Sequence, residues 1–486
     1  MCYNFVDMKV RTRIAPSPTG YPHLGTAYQA LINKAYAKKY KGSFVIRIED
    51  TDRTRFVEDA EKRLYKALDW LNLTEDEGPR KGGDFGPYRQ SERLSLYKKY
   101  ALDLVKKGHA YYCFCTKERL EKVRKNQQKN GLPSMYDGHC RTLSKNVIQK
   151  NLKLGKSYVI RLKVPKNKKI VVHDLIRGEI VFDSNTIDDQ VILKSDGFPT
   201  YHLAVVVDDH LMNITHVVRD AGWIPSFPKH KLIYDYLGWE MPIFLHTPTI
   251  INMSGGKLSK RDSSSDINWY KEQGFLPEAI LNFLALLGWS HPKGKEIFDF
   301  NEFIKYFDLK DISPVTPKLD LVKLEWINGI YIRNLTLNEF LKRSLDYLPS
   351  EYTRNLDYLK KILPLVRDRV KRLSELSYLI SYFFEYPKGT KQIRELALKE
   401  SKKNYKQTKE VLHHIIDILD SIKDSNWTSS YIDTLLHKLM MQLNIKPRQF
   451  FMPIRIIVTG RSFSPPVADM LEVLGKQETL KRLKRF

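Results

Sequence analysis

The segment APSPTGYPHLGTA, from Ala15 to Ala27, concentrates three prolines, two glycines and one histidine between a strand-like run and an amphipathic run. A helix that begins at the end of this segment would present free backbone N–H groups and positive potential to a phosphate. Gly25 has no side chain to keep a nucleotide base away from the backbone, and His23 can donate a hydrogen bond to a phosphate as charge develops on it. The spacing is neither GxGxxG nor that of a P-loop, so a purely structural turn is the alternative.

A second segment whose residues could take part in a reaction, GGKLSKR, follows much later in the chain. It places Lys257 and Lys260 three residues apart, directly after two glycines. Two ammonium groups on a loop can stabilise negative charge that develops on phosphorus-bound oxygens. A charged loop is also often only a solvated surface, so this segment gains meaning only in combination with the first one.

Three of the four cysteines are near one another in the sequence, in YYCFCTKERL (Cys113, Cys115) and MYDGHCRT (Cys140). Four cysteines are too few for a disulfide framework in a chain of 486 residues, and they indicate a reducing compartment. Thiolates at this spacing can tie a loop-rich lobe around zinc, which takes four Cys or His-type ligands in structural sites. Three reduced thiols that are neighbours only in sequence are the alternative.

The composition describes a globular protein with a basic surface. Hydrophobic residues make up 42% and aromatic residues 12%, which argues against disorder. Lys and Arg number 81 against 56 Asp and Glu, a formal charge of +25 that favours a polyanionic partner such as nucleic acid, although a lysine-rich genome would have the same effect. No apolar run reaches the roughly 18 residues of a membrane span, and MCYNFVDMKV does not resemble a secretory signal. We therefore expect a cytoplasmic protein with no membrane partner.

The elements that must position these residues change character along the chain. Before about residue 255, strand-like runs (KVRTRIA, SFVIRIED, YVIRLKV, HVVRD) alternate with helical runs such as TAYQALINKAYAKKY, which predicts an α/β fold. From LPEAILNFLALLGW onward helical periodicity dominates, with cap signals in LTLNEF and NWTSSYIDTLLHKL, and the Gly/Ser-rich residues 252–266 are predicted to be a flexible connection. The His23 segment then lies at the carboxyl end of the first strand, where an open α/β sheet binds ligands.

The pair PHLG and KLSK resembles the HIGH and KMSKS signatures of class I aminoacyl-tRNA synthetases. Further segments make the chain similar to bacterial-type glutamyl-tRNA synthetases from about residue 9 to the end: TRIAPSPTG, RIEDTD, GPYRQSER, GFPTYHLAVVVDDH, THVVRD, LGWE, LPEAILNFLALLGWS and FFMPIRIIVTGRSFSPPVADMLEVLGK. A glutaminyl enzyme is disfavoured, because its family carries a β-barrel anticodon module and this tail is helical. The short enzyme that glutamylates a modified tRNA base is disfavoured, because it lacks the anticodon half.

The resemblance implies a fold that is α/β and then all-α. A Rossmann-type nucleotide-binding catalytic domain is expected at residues 1–103 and 205–255, split by an α/β acceptor-binding insertion at residues 104–204 that includes the candidate zinc lobe. A helical stem-contact domain with the KLSKR loop is expected at residues 256–335, and a helical anticodon-binding region of two subdomains at residues 336–486.

The implied function is ATP-dependent activation of L-glutamate to glutamyl-adenylate, followed by transfer of glutamate to the 3′-terminal adenosine of tRNA-Glu. The charging of tRNA-Gln as well stays open. ATP and Mg²⁺ are the implied cofactors, and a monomer is expected. A nucleotidyltransferase acting on a small acidic substrate, glutamyl transfer to a modified tRNA base and a catalytically silent RNA-binding relative are the alternatives; failure to bind tRNA would favour the first.

The resemblance also assigns residues. The catalytic residues are His23, Lys257 and Lys260. The ATP-binding residues are Ser17, Thr19, His23, Gly25, Trp223, Lys257, Ser259 and Lys260. The glutamate-binding residues are Arg13, Ala15, Ser17, Glu49, Tyr201 and Arg219. The tRNA-binding residues are Arg367 and Arg369 in LVRDRV. Arginine forks suit carboxylates, but which of the two grips the side-chain carboxylate of glutamate stays open.

Several of these residues could instead have a purely structural role. Glu49 could begin the next helix, Tyr201 could be a core aromatic, and Arg367 and Arg369 could belong to a solvated helix face. The segment RDAGW departs from the family pattern, because Gly222 replaces a side chain that would reach the nucleotide.

For the metal, some members of the family bind zinc through CxC and a later Cys. The resemblance therefore implies Cys113, Cys115 and Cys140 as ligands, with Tyr136 as the fourth, as in a tyrosine-containing variant among the family's relatives. His139 is the reserve choice, because adjacent residues rarely both reach one ion.

Overall fold

The computed structural model of the chain describes residues 9–256 and 263–486. The chain divides into two compact units. The first comprises Met1–Trp269 and Ile280–Asp320, and the second comprises Tyr270–Ala279 and Leu321–Phe486. The five-part domain division expected from the sequence stays a prediction.

The strands of the described residues all lie in the first unit and form two sheets. In chain order they are β1 (Arg11–Ile14), β2 (Ser43–Ile46), β3 (Ala110–Cys113), β4 (Val159–Leu162), β5 (Lys169–Asp174), β6 (Gly178–Asp183), β7 (Val191–Leu193), β8 (His216–Asp220) and β9 (Ile243–Thr247). The larger sheet has the order β2-β1-β8-β9-β5-β6, and the smaller has the order β3-β4-β7.

The larger sheet is parallel except at one end, where β6 runs antiparallel to β5. The chain leaves β1 toward β2 on one side and leaves β8 toward β9 on the other. The order of the strands therefore reverses between β1 and β8, and an open α/β sheet binds its ligands outside the carboxyl ends of the strands at such a point.

In the described part of the chain, ten helices contain residues of the first unit; two of these, α8 and α9, also contain residues of the second. These helices are α1 (Leu24–Lys39), α2 (Ala60–Trp70), α3 (Leu94–Lys106), α4 (Lys117–Lys129), α5 (Lys145–Lys153), α6 (Tyr201–Leu211), α7 (Phe227–Leu237), α8 (Ile267–Glu272), α9 (Pro277–Gly288) and α10 (Phe300–Tyr306). Those of the second unit alone are α11 (Leu321–Asn334), α12 (Leu337–Ser344), α13 (Leu356–Arg367), α14 (Leu376–Phe384), α15 (Thr390–Ser401), α16 (Tyr405–Asp420), α17 (Ser429–Gln442), α18 (Pro447–Thr459), α19 (Val467–Leu474) and α20 (Lys476–Leu483).

The first strand and first helix form as the sequence predicts. All four residues of β1 are buried, and α1 buries an apolar face that includes Leu31 and Ile32. His23 is the N-cap residue of α1, and lysines occupy its last turn, where they complement the helix dipole. The segment between β1 and α1 is therefore fixed at both ends by buried structure.

The segment between β2 and β8 contributes to both sheets. It supplies β3, β4 and β7 of the smaller antiparallel sheet, and also the hairpin β5–β6 that extends the larger one. Residues of β5 alternate between exposed and buried, with Ile170, Val172 and Asp174 on the buried face. The segment between β2 and β8 thus shares a sheet with β1 and β8.

The second unit is helical in its described residues, so the predicted α/β then all-α class is confirmed. Thr336 and Glu339 form a capping box at α12, as LTLNEF indicates, whereas Thr428 is the N-cap of α17 without a side-chain cap hydrogen bond. Among the described residues, no helix combines the length and apolar character needed to cross a membrane.

Candidate functional site

A cleft of about 910 Å³ opens where the strand order reverses, a size in the range of small-molecule sites. It lies at the carboxyl ends of β1 and β8 and at the N-terminus of α1. The structure brings nine of the predicted ligand-binding residues to its wall: Arg13, Ala15, Ser17, His23, Gly25, Glu49, Tyr201, Arg219 and Trp223.

The N-terminus of α1 forms one wall of this cleft. The backbone N–H of Gly25 donates to Nδ1 of His23 (3.1 Å), so the neutral imidazole carries its proton on Nε2. A Cβ added at Gly25 would lie 3.3 Å from the same ring nitrogen. The glycine therefore lets the histidine cap its own helix, and both residues line the cleft at the N-terminus of α1.

Buried ion pairs fix the floor of the cleft. Arg13 is 3% exposed and binds Asp209 with two nitrogens (Nε to Oδ1, 3.0 Å; Nη2 to Oδ2, 3.1 Å). Asp209 also accepts from Arg47 Nη1 at 2.7 Å. Burial alone would raise the pKa of Asp209, but the two guanidinium charges outweigh burial and hold this pKa below its usual range. Asp209 is therefore ionised and locks Arg13 in one orientation.

Glu49 lies beside this network and is 5% exposed. Its Oε1 accepts from Nη2 of Arg47 at 3.1 Å, and Nε2 of Gln90 lies 3.5 Å away. Burial raises the pKa of Glu49 to about 7, against the opposing effect of the Arg47 and Arg13 charges. A carboxylate here can accept hydrogen bonds from a ligand ammonium group, which also lowers the cost of its charge.

Arg219, in β8, is anchored differently from Arg13. Its Nε donates to Nε2 of His246 (2.9 Å), and its Nη1 contacts Nδ1 of His230 (3.1 Å) and the hydroxyl of Tyr201 (3.3 Å). Its Nη2 is buried and has no hydrogen-bond partner among residues 9–256 and 263–486. Burial lowers the pKa of Arg219, but the group stays protonated. Two N–H donors are thus left for a ligand.

Part of the cleft lining is aromatic. The rings of Tyr201 and Trp223 lie 4.3 Å apart between centroids, and Trp223 is 42% exposed. Gly222, which departs from the family pattern, donates its N–H to the Asp220 carboxylate at 2.7 Å, and a Cβ there would lie 2.9 Å from that carboxylate oxygen. The glycine is therefore accommodated by a tight turn that keeps Asp220 on the cleft wall.

Other predicted residues lie elsewhere. Thr19 is not part of this wall, and its N–H donates to the carbonyl of Ser17 at 2.8 Å. Lys257, Ser259 and Lys260 lie outside the described residues, so their assignments stay predictions.

The three clustered cysteines come together in space. Their Sγ atoms lie within 4.8 Å of one another, and Oη of Tyr136 lies 3.4 Å from the sulfurs of both Cys113 and Cys115. Tetrahedral zinc with typical bond lengths separates two sulfurs by about 3.8 Å, and a sulfur from an oxygen by about 3.5 Å. Cys115 and Cys140 are 3.5 Å apart, so three thiols and the phenol fit a zinc donor set.

The reserve ligand His139 has a different environment. Its backbone N–H donates to the carboxylate of Asp137, and it is not part of the cysteine cluster. Tyr136 is held in the cluster because its hydroxyl accepts from the N–H of Cys140 at 2.9 Å, while the guanidinium of Arg161 lies 3.8 Å from its ring centroid. The geometry favours Tyr136 over His139 as the fourth donor.

Known proteins are similar to this chain over nearly its whole length. The family described as tRNA synthetases class I (E and Q), catalytic domain, matches residues 9–326, and the anticodon binding domain family matches residues 339–486. The glutamate–tRNA ligase of Fusobacterium nucleatum is 45% identical and covers 99% of this chain and 98% of its own length. The glutamate–tRNA ligase of Acidothermus cellulolyticus is 44% identical, and the match covers 98% of this chain and 95% of that protein. This chain belongs to the glutamate–tRNA ligase family. The resemblance seen in its motifs is confirmed.

Solved structures of the glutamate–tRNA ligase family agree with this. The glutamate–tRNA ligase from Elizabethkingia meningosepticum, in complex with its amino acid, superposes with a TM-score of 0.90 at 33% identity. The match covers 98% of this chain and 99% of that one. The similarity therefore spans both the α/β and the helical parts.

The region matched by the anticodon-binding family holds a second cavity, of about 660 Å³. Phe451 and His437 line it with rings 5.0 Å apart, and Arg455 lines it with a buried Nε that has no hydrogen-bond partner. Arg448, also in the wall, is neutralised by Glu400 at 2.7 Å. Asp433, in the same wall, lies 3.3 Å from Nδ1 of His437, and within the described residues Arg455 forms no ion pair. An aromatic surface beside such an arginine suits a nucleobase.

The two arginines predicted to bind tRNA differ in their surroundings. Nη1 of Arg369 donates to the carbonyl of Ser464, in the loop that also brings Ser462 to the second cavity. Arg367 is half-buried at the end of α13 and contacts the carbonyl of Leu335 (3.4 Å). Neither arginine forms an ion pair within the described part of the chain. Arg369 therefore lies nearer to the candidate base-binding cavity.

Several residues of both sites were missed in the sequence. Asp209 could have been suspected, because two adjacent carboxylates end the otherwise apolar helix α6 and must find buried cations. Single residues such as His230, His246 and Arg455 belong to no periodic or spaced pattern. Only the fold brings them to their cavities.

Proposed function

We propose that this chain activates L-glutamate with ATP and transfers the glutamyl group to the 3′-terminal adenosine of tRNA-Glu. The observation that carries the proposal is the cleft at the switch point, which gathers two buried arginines, a buried glutamate and a helix N-terminus. Attack of a carboxylate on the α-phosphorus of ATP needs positioning and charge stabilisation, not an enzyme nucleophile. The family membership of the whole chain supports the same reaction.

For glutamate, we assign the two carboxylates to Arg13 and Arg219 and the ammonium group to Glu49. Arg219 offers the unpartnered Nη2, and Arg13 retains N–H groups beyond those used by Asp209. Ser17 and Ala15 border the same space, and the hydroxyl of Tyr201 can donate into it. One acidic and two basic groups match an amino acid with two carboxylates and one ammonium.

For ATP, we assign the phosphates to the N-terminus of α1 and Nε2 of His23, and the adenine to the wall near Gly25 and Trp223. Lys257 and Lys260 are proposed to act on the α-phosphate and the leaving pyrophosphate, with Ser259 and Thr19 as further contacts. Mg²⁺ is proposed to accompany the nucleotide, where it would offset phosphate charge. Among these groups, the helix N-terminus is built to favour negative charge before any ligand arrives.

For tRNA, we propose that the second cavity takes an anticodon base, with Arg455 and Arg369 as its uncompensated cations. Arg455→Ala should weaken tRNA-Glu binding by about tenfold or more, the typical loss for a specific arginine contact to a base. Arg343→Ala is the matched control, because that arginine of the same unit is paired with Glu278. Equal tRNA affinities of the two variants would exclude the base-binding role of Arg455.

We also propose a structural zinc ion held by Cys113, Cys115, Cys140 and Tyr136. Zinc would tie the loop that carries Cys140 to β3, since the metal replaces a hydrophobic core too small to hold this lobe. We place the protein in the cytoplasm, because three thiols within 4.8 Å favour a reducing compartment. We also propose that the protein is a monomer.

Aminoacylation of purified tRNA-Glu and tRNA-Gln with labelled glutamate tests the proposed function. We expect glutamate to be attached to tRNA-Glu in an ATP-dependent reaction. A nucleotidyltransferase would release pyrophosphate with an acidic substrate but would not bind tRNA. Charging of tRNA-Gln in the same assay would extend the substrate range without changing the mechanism.

A further inference from the structure

Arg219 is held on every contacted side by uncharged groups. Of its five N–H donors, one meets Nε2 of His246, and Nη1 meets Nδ1 of His230 and the hydroxyl of Tyr201. The two N–H groups of Nη2 are buried at the cleft wall without a partner. Within the described residues, no carboxylate lies within ion-pair distance of this guanidinium.

The neighbouring buried arginines, unlike Arg219, are in contact with carboxylates. Arg13 is neutralised by the two carboxylate oxygens of Asp209. Arg47, which is fully buried, lies within ion-pair distance of Asp208, Asp209 and Glu49. Within the described residues, Arg219 thus differs from Arg13 and Arg47, because no carboxylate in contact with Arg219 balances its charge.

The hydrogen bonds also fix the protonation of the two imidazoles. An arginine can only donate, so Nε2 of His246 must offer a lone pair, and its Nδ1 proton goes to the Asp174 carboxylate at 2.7 Å. Nδ1 of His230 must likewise be a lone pair, so its Nε2 proton points to Nδ1 of His202 at 3.1 Å. Burial lowers the pKa of both His230 and His246, in agreement with neutral rings.

We propose that His230 and His246 are positioning residues that hold Arg219 through neutral nitrogen acceptors and so reserve its positive charge for a carboxylate of the amino acid. The inference rests on the proposed function, and it explains why neutral histidines and not carboxylates contact Arg219. A carboxylate at either position would orient the guanidinium equally well, but it would balance the charge before the substrate arrived. The neutral anchors fix the geometry while the electrostatic attraction stays available.

A matched pair of variants at residue 230 separates these two effects. His230→Asn places a neutral oxygen near the position of Nδ1, and His230→Asp places a carboxylate of the same size there. Both variants lose the ring contact to His202. We expect the KM for glutamate of His230→Asp to exceed that of His230→Asn by about tenfold or more, the effect of one lost charge-assisted hydrogen bond. The KM for ATP should differ between them by less than about twofold.

A second matched pair of variants, at residue 246, tests the same proposal if His230→Asp does not fold. The oxygen of His246→Gln can reach the position of Nε2. His246→Glu replaces the neutral amide with a carboxylate, which adds a charge and also removes a possible donor to Asp174. Thermal unfolding of all four variants reports whether they fold. Equal KM values for glutamate within each folded pair would overturn the proposal.

The wild-type protein gives an independent measurement. ¹⁵N chemical shifts of the imidazoles at pH 7 should show neutral rings, with the proton of His230 on Nε2 and that of His246 on Nδ1. A cationic ring at either residue would overturn the proposal even if no variant folds. Absence of glutamate charging by the wild type would instead refute the proposed function, so the two failures are distinguishable.

Discussion

The charge on Glu49 should control how well the cleft binds glutamate between pH 6 and pH 8. Burial raises the pKa of this carboxyl group to about 7, so it is largely neutral below that pH and ionised above it. Only the carboxylate can pair with the ammonium group of the substrate. We therefore expect kcat/KM for glutamate to rise as the pH increases and Glu49 loses its proton. If the protonated form of Glu49 were required, kcat/KM would fall instead.

The size of the effect follows from the pKa. With a value of about 7, about 9% of the group is ionised at pH 6, about 50% at pH 7 and about 91% at pH 8. The wild-type kcat/KM for glutamate should then be about tenfold lower at pH 6 than at pH 8. Glu49→Gln should have a flat profile that lies about 10- to 100-fold below the wild-type plateau, the range for a lost hydrogen bond to a charged group.

Stability should change in the opposite direction to activity. Because folding raises the pKa of Glu49, protonation of this group stabilises the folded state. This contribution to the free energy of unfolding is fully present below the ordinary pKa near 4.5, and it is lost as the pH rises through the folded-state pKa of about 7. Raising the pKa from 4.5 to about 7 corresponds to about 3 kcal/mol. Glu49→Gln should therefore unfold at a higher temperature than the wild type at pH 8, with a smaller difference at pH 6.

The assay is aminoacylation at saturating ATP and tRNA-Glu, with glutamate varied at each pH. The control is the same profile with ATP varied at saturating glutamate, which should not show the inflection near pH 7 that Glu49 produces. A flat wild-type profile for glutamate, or an inflection that persists in Glu49→Gln, would refute the reasoning. The thermal unfolding of the two proteins supplies a readout that does not depend on catalysis.

Three further predictions follow from the family resemblance and the geometry. Pyrophosphate exchange with glutamate should require tRNA, and tRNA binding should weaken steeply with salt because phosphate contacts release counterions; full exchange without RNA would contradict this. Lys257→Ala or Lys260→Ala should each slow single-turnover activation by about 10² or more with a smaller change in ATP affinity, and unaltered activation in both would remove the proposed role of the loop. Protein purified without chelator should contain about one zinc per chain, and Cys113→Ser/Cys140→Ser should lose it; unchanged zinc in the double variant would exclude these ligands.

The sequence predicted those parts of the fold that depend on local pattern. The strand before His23 and the helix after it are an apolar run and an amphipathic run, and the turn between them is marked by proline and glycine. Arg13, Glu49 and Arg219 stand in the recognisable motifs TRIAPS, RIED and HVVRD. Each of these signals lies within a short stretch of chain.

Features that depend on distant segments could not be predicted in this way. The helical run YLKKILPLVRDRVKRLSELSYLISYFFEY is broken after Arg367, where Asn328 donates to the carbonyl of Lys371 and Leu373 donates to the carbonyl of Gly274. Neither proline nor glycine marks the break. The anchors of Arg219 likewise come from α7 and β9, which become its neighbours only through the order of the sheet.

The hairpin β5–β6 has a consequence for dissecting this protein into parts. Asp174 ends β5, and its carboxylate accepts from both the backbone N–H and Nδ1 of His246, the residue that contacts Arg219. A minimal enzyme made by excising residues 104–204 would therefore lose more than the expected acceptor-binding segment. It would leave β9 as an exposed edge prone to pairing with other chains, and it would release the histidine that contacts Arg219. The hairpin β5–β6 is an integral part of the proposed amino acid pocket, not a detachable module.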